Sequence, residues 1–141
     1  MKKESLDFFF ENFFSDKWFM SMQKIFDINS QEVVGGELLL RVYDEDILEN
    51  GYYFPEAFFD YRFNKLTLGI LRKLKNALTE TPEIFPNHLS INLVPINLDS
   101  IEVFNDLFEI TKTFRTLNKN FAVEISEIFV YEDFEKFLPK A

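Results

Sequence analysis

The spacing of apolar residues alternates along the chain between a period of about 3.6 and a period of 2. Leu6, Phe9 and Phe13 recur at helical spacing, whereas Trp18, Met20 and Met22 alternate as in a strand. Apolar runs separated by turn-forming residues continue this pattern to the C-terminus. The predicted elements are a helix at 5–14, strands at 18–26 and 33–43, two helices between 55 and 78, a loop at 79–87, a strand at 88–94, a helix from about 99 to 114, a strand at 121–125 and a helix at 131–138.

The two longer helices each have one predicted apolar stripe. The first stripe comprises Leu66, Ile70, Leu71, Leu74, Ala77 and Leu78, and the second comprises Ile101, Phe104, Leu107, Phe108 and Phe114. Asp99 and Glu102 are the candidate caps of the second helix. The first two strands flank a turn at 28–31 and are expected to form a hairpin. The later alternation of strands and helices predicts parallel βαβ units and an α/β fold.

Composition narrows the possible functions. The 141 residues carry 24 acidic and 15 basic side chains, for a net charge of −9. This charge argues against sequence-independent nucleic-acid binding and against an anionic membrane surface. There is no cysteine and only one histidine, His88, to which we assign no role, so thiolate and multi-histidine sites are excluded. Acidic residues interrupt the N-terminal apolar stretch, which argues against a signal peptide and predicts a cytoplasmic protein.

Polar residues interrupt three apolar runs that are predicted to be strands. They are Glu37, Asn92 and Glu124, and Arg41 ends the first of these runs. If the strands present them on one face, the three groups converge into an oxygen-only ligand set, which suits Mg²⁺ or Mn²⁺. The alternative is that each residue lies at a solvent-exposed or frayed position, and for Arg41 that it forms a surface salt bridge.

The motifs around these residues resemble those of the EAL domain, which hydrolyses cyclic di-GMP. Each motif is weak alone, but five occur in the family's order between about residues 18 and 128. They are Gln23-Lys24-Ile25 for Gln-Pro-Ile, Val34-Gly35-Gly36-Glu37-Leu38-Leu39-Leu40-Arg41 for the Glu-Ala-Leu-Leu-Arg signature with its preceding Val-Gly, Gly51 to Phe59 for Gly-x-x-x-Pro-x-x-Phe-Ile, Leu89 to Leu93 for Ser-Val-Asn-x-Ser, and Glu124-Ile125-Ser126-Glu127 for Glu-x-Thr-Glu.

The resemblance implies a role for each matching residue. Glu37, Asn92 and Glu124 would be ligands of a first divalent metal, Mg²⁺ or Mn²⁺. The other matching residues are Arg41, which would hold a phosphate of the dinucleotide, Gln23, which would lie beside that ligand, and Glu127, which would position a later loop. In the family, two metals activate a water that attacks the phosphodiester.

The chain also departs from the family pattern. Leu38 replaces the signature alanine, Lys24 replaces proline, and the sequence ends at Ala141 before the Asp-Asp-Phe-Gly motif and the later Lys, Glu and Gln. The resemblance therefore implies an incomplete, half TIM-type barrel that begins with a β-hairpin and continues with βα units. We expect an N-terminal helix at 1–16, a partial EAL-like domain at 17–141, no hydrolysis by a single chain, and only weak binding of metal and cyclic di-GMP.

An incomplete barrel predicts association through its open edge, the strand at 121–125, with a second copy or another protein. We interpret Glu45, Asp46 and Glu49 as a solvated acidic loop. Three hypotheses remain: a non-catalytic EAL relative that acts in signalling through protein or cyclic di-GMP binding, a phosphodiesterase completed by oligomerisation, and a truncated chain whose missing C-terminal half carries the activity.

Overall fold

The structure is a computed structural model, and it describes residues 6–7, 10–11, 18–42 and 55–125. For Phe19 and residues 40–42 and 55–56 only the backbone is described. The loop containing Glu45, the residue Glu127 and the predicted helix at 131–138 lie outside the described residues, as does most of the predicted helix at 5–14. Among the described residues, no helix is long and apolar enough to cross a membrane.

The described chain begins with the predicted hairpin. Strand β1 (Trp18–Phe26) pairs antiparallel with β2 (Val33–Val42). The turn between them spans residues 28–30, and Gln31 has a φ of 60°, in the left-handed region. Gly36 of β2 comes so close to Met22 that an added Cβ would lie 2.9 Å from the Met22 Cγ, so only glycine fits there without a shift.

Two crossover units follow, and they confirm the predicted parallel βαβ pattern. Strand β2 pairs parallel with β3, and β3 pairs parallel with β4, so the described strands form one sheet with the order β1-β2-β3-β4. Closure of this sheet as part of a barrel stays a prediction. The elements after β2 are a 3₁₀ turn (Pro55–Phe59), helix α1 (Arg62–Glu80), a 3₁₀ turn (Pro82–Ile84), β3 (His88–Leu93), a 3₁₀ turn (Pro95–Asp99), helix α2 (Ile101–Thr116) and β4 (Asn120–Ile125).

The structure corrects two predicted boundaries. Helix α1 continues to Glu80, so the predicted loop at 79–87 starts later and contains a 3₁₀ turn. The cap of α2 is Ser100, whose hydroxyl accepts a hydrogen bond from the backbone N–H of Val103, and not Asp99 or Glu102. Serine is a strong N-cap, and its position directly before the helix is the signal that the sequence prediction passed over.

The predicted stripe is confirmed for α1 and wrong in part for α2. In α1 the five large apolar residues of the stripe are buried. In α2 the buried residues are Val103, Leu107, Ile110 and Phe114. Ile101, Phe104 and Phe108 point away from the core and are exposed. Of the three phenylalanines of α2 only Phe114 is buried, so aromatic character alone does not identify the buried side.

Both helices pack on one side of the sheet. Leu38, Leu89, Ile91 and Leu93 share a single core with the buried stripes of α1 and α2. Phe10, from the described part of the N-terminal segment, is buried in the same core. The alternate residues of β2 and β3 therefore lie on the opposite, open face of the sheet.

Candidate functional site

The predicted polar residues lie in a row across the open face of the sheet. In the strand register, Gln23 is opposite Glu37, Glu37 is opposite Ser90, and Asn92 is opposite Glu124. Ser90 and Asn92 are two residues apart on β3, so they share a face. The backbone therefore brings the residues of all four strands to one surface. The sequence prediction that the polar groups share a face agrees with this register.

Glu37 and Asn92 are in direct contact. The Asn92 Nδ2 donates a hydrogen bond to the Glu37 Oε1 at 2.7 Å, bridging β2 and β3. The Glu37 side chain is partly buried, whereas Asn92 and Glu124 are exposed. Among the described side chains, neither Glu37 nor Glu124 forms an ion pair with a lysine or arginine. Two carboxylates thus stand on one open surface without a described positive partner.

Each of these three strands also carries a small residue on the face of the proposed ligands, which the sequence prediction did not recognise. Gly35, Ser90 and Ala122 each precede one of the three proposed metal ligands by two positions. They therefore share the face with Glu37, Asn92 and Glu124. In the register, Ser90 is the direct neighbour of Glu37, and Ala122 is the direct neighbour of Ser90. The signal was available in the sequence as a small residue at position i−2 in each of the three strands.

Two further predicted residues have different outcomes. Gln23 is exposed and lies next to Glu37 across the hairpin. The backbone of Arg41 lies in β2, four residues after Glu37 and opposite Phe19, but its side chain is not described. A phosphate-binding role for Arg41 and a loop-positioning role for Glu127 stay predictions.

The donor set fits a hard divalent cation. Glu37 and Glu124 offer carboxylate oxygens and Asn92 offers an amide oxygen, the ligand types that Mg²⁺ and Mn²⁺ prefer. The described residues contain no group of three or more His, Asp or Glu side chains placed to hold a metal. Mg²⁺ commonly uses one or two carboxylates and keeps several waters, so two carboxylates and an amide suffice for one ion. They do not supply the shared ligands of a pair of ions.

Comparison with known proteins identifies the fold. One solved structure that is similar to this chain is that of an EAL enzyme, Bd1971, in its cGMP-bound form. The TM-score is 0.56 at 17% sequence identity, and the match covers 88% of this chain and 36% of that one. The chain therefore spans little more than a third of that protein. No family model and no curated protein sequence matches the chain. The likeness shows an EAL-like arrangement of the sheet and helices.

Proposed function

We propose that this chain is an EAL-like domain that uses the open face of its sheet to bind a divalent cation and, through it, cyclic di-GMP. The observation that carries this proposal is the 2.7 Å contact between Glu37 and Asn92 beside the Asn92–Glu124 register pair. These are the three positions that the family motifs assign to one metal. The EAL-like fold supports the family resemblance from which this assignment is taken.

The electrostatics of the open face favour a cation. Glu37 and Glu124 lie on either side of β3 on the same face, and Asn92 donates an N–H group to Glu37. A divalent cation would neutralise both carboxylates and could accept the Asn92 Oδ1 as a third ligand. Water and phosphate oxygens would complete the coordination, as is usual for Mg²⁺. Gln23, at the edge of the row, would then face the bound dinucleotide.

We propose further that the 141-residue chain binds cyclic di-GMP without cleaving it and acts in signalling. Hydrolysis by two metals requires that both the attacking and the leaving oxygen be clamped. The described strands contribute two carboxylates to the open face, Glu37 and Glu124, which are enough for one ion. The bound nucleotide would therefore stay intact, and the fraction of the domain that carries it would follow the concentration of cyclic di-GMP.

The test is calorimetric binding of cyclic di-GMP to the purified chain in Mg²⁺, with chromatography of the nucleotide afterwards. The expected result is binding that is lost in EDTA, is weakened about tenfold or more by Glu37→Gln, and leaves the nucleotide intact. Glu80→Gln is the matched control, because Glu80 is an exposed carboxylate at the end of α1. Equal binding in EDTA would contradict the cation-dependent mechanism, and a linear product abolished by Glu37→Gln would contradict binding without cleavage.

A second candidate function is association with another protein or a second copy through β4. Among the described strands, β4 pairs only with β3, and its residues are almost all exposed. An open edge offers backbone N–H and C=O groups for pairing. Light scattering over a concentration series tests self-association, and a mass that stays at 16.8 kDa would contradict it. A phosphodiesterase completed by such association would instead release linear product only at concentrations where the larger species forms.

A further inference from the structure

Helix α2 carries apolar side chains that are not buried in the core of the domain. Ile101, Phe104 and Phe108 are 76%, 36% and 64% exposed. Their spacing of three and four residues places them on one side of the helix. Exposed single apolar residues are common, but three in one row on a helix of a small domain indicate a surface that something covers.

The stripe lies on the flank of α2 that faces away from α1. Asp106 and Glu109 mark the α1 flank, because they accept hydrogen bonds from Lys75 of α1 at 2.6 and 2.7 Å. At 3.6 residues per turn, Phe104 and Phe108 lie on the other side of the buried row from this pair. The stripe therefore borders the part of the sheet beyond α2.

Strand β4 presents apolar side chains beside this stripe. Val123 is opposite Ile91 and Ile125 is opposite Leu93, and both of those β3 residues are buried under the helices. Val123 and Ile125 share that side of the sheet but are 41% and 49% exposed. Together with the α2 stripe they form what we call the β4 groove, lined by Ile101, Phe104, Phe108, Val123 and Ile125.

We propose that the β4 groove is the docking site of this chain's own C-terminal segment, residues 126–141. The segment starts at the residue after Ile125, which is the last residue of β4 and lines the groove. The chain has already crossed the same side of the sheet twice, through α1 and α2, between parallel strands. A segment that leaves β4 is expected to return on that side as well.

The sequence of the segment matches the groove. Tyr131, Phe134, Phe137 and Leu138 fall on one side of the predicted helix at 131–138, and Glu132, Asp133, Glu135 and Lys136 fall on the other. The predicted helix and the α2 stripe from Ile101 to Phe108 each span eight residues, which is about 12 Å at 1.5 Å per residue. An apolar row of the same length is thus available to cover the stripe.

Covalent attachment favours this occupant over a second copy. A segment tethered by a few residues has an effective concentration in the millimolar range. A second chain would have to bind from dilute solution and would bring a further net charge of −9. The tethered segment therefore fills the groove first, and the groove is separate from the backbone edge of β4 and from the metal-binding face.

The test uses the absence of cysteine from the chain. Four double variants pair Phe104→Cys or Phe108→Cys on α2 with Phe134→Cys or Leu138→Cys in the segment. Two cysteines form a disulfide only when their Cα atoms come within about 7 Å. The control pairs Phe26→Cys with Phe134→Cys, because Phe26 is an exposed phenylalanine of the hairpin, remote from α2 in the sheet order.

The expected result is a disulfide within one chain in at least one of the four pairs and free thiols in the control. Mass spectrometry and a non-reducing gel distinguish a linked monomer from a linked dimer. A disulfide between two chains would overturn the proposal in favour of a second copy. Free thiols in all four pairs would overturn it as well. Because Phe104 and Phe108 are exposed, these variants retain the core, and unfolding curves of the reduced proteins check this.

Discussion

The two faces of strand β3 differ in the contacts that their side chains make. On the helix side, Leu89, Ile91 and Leu93 are buried in the common core. On the open side, Ser90 and Asn92 alternate with them, and the Asn92 side chain donates a hydrogen bond to Glu37. Neighbouring residues of one strand are thus held by packing on one side and by polar contacts on the other.

This difference separates stability from binding. Removing a buried apolar side chain costs transfer free energy and leaves a cavity, whereas removing an exposed polar one costs little. The carboxylates of the open face, by contrast, are not buried in the core and form no ion pair among the described side chains. Substitutions on the helix side should therefore change the free energy of unfolding, and substitutions on the open side should change ligand binding.

The largest expected effect is on the helix side, at Phe114. This residue is fully buried and packs against Phe85 and Phe121 with ring centroids 6.1 and 5.2 Å apart. Phe114→Ala should lower the free energy of unfolding by about 3–5 kcal/mol, measured by urea denaturation. The control, Phe26→Ala, removes an exposed phenylalanine and should cost much less. Equal losses of unfolding free energy for the two variants would contradict the difference between buried and exposed positions.

A smaller loss is expected at Asn97, the buried polar residue that joins α1 to the turn after β3. Its side chain accepts a hydrogen bond from the Val94 N–H and donates to Asn64 and Thr67. Asn97→Ala leaves the Val94 N–H unpaired in the core and should cost about 1–3 kcal/mol in urea denaturation. Asn105→Ala, at an exposed position of α2, should cause no loss, and a stable Asn97→Ala would show that the network is dispensable.

A pH-dependent contribution is expected from Asp60. Hydrogen bonds from Arg62, at 2.9 and 3.0 Å, hold the pKa of this carboxyl below its usual value. A carboxyl whose pKa is lowered by folding stabilises the protein above about pH 4 and loses this stabilisation as the pH falls further. The wild type should therefore lose up to about 1 kcal/mol more than Asp60→Asn between pH 7 and pH 3 in urea denaturation.

The matched control for that comparison is Asp99→Asn, which removes an exposed aspartate. It should lose the same stability as the wild type over this range, because it leaves the Asp60–Arg62 pair in place. An Asp60→Asn curve that parallels the wild type would contradict the contribution of the Asp60–Arg62 pair.

The smallest effect on stability is expected on the open face. Glu37→Gln and Glu124→Gln should each change the free energy of unfolding by less than about 0.5 kcal/mol in the absence of metal. Both side chains reach solvent, and glutamine at position 37 keeps the oxygen that accepts the Asn92 hydrogen bond. A loss of 2 kcal/mol or more in urea denaturation would show that the row is structural, which would remove the separation between the faces.

Much of the fold could be predicted because its strands have strong local signals. The boundaries of β1 and β4 were predicted to within one residue, since alternation and flanking polar residues mark them. The α2 stripe was predicted poorly, because Phe104 and Phe108 are as apolar as Leu107, and only the three-dimensional position of α1 shows which side is buried. The role of Asn97 was missed for the same reason: its side-chain partners, Asn64 and Thr67, are about thirty residues away.

The candidate site was predictable in part. Polar residues in apolar runs identified Glu37, Asn92 and Glu124, and strand periodicity placed them on one face. The hydrogen bond between Glu37 and Asn92 was not predictable. The two residues are 55 positions apart in sequence, and their contact depends on the register between β2 and β3. Sequence alone also could not show that Ser90 lies opposite both Glu37 and Ala122.

The most direct test of the central claim is a titration of the purified chain with Mn²⁺, with free ion measured by electron paramagnetic resonance. The wild type is expected to bind one ion per chain, and Glu37→Gln/Glu124→Gln should weaken this binding about tenfold or more. The control, Glu80→Gln/Glu83→Gln, removes the same charge from exposed positions at and after the end of α1 and should bind like the wild type. Equal weakening in both double variants, or unchanged binding in the first, would contradict a cation site on the open face.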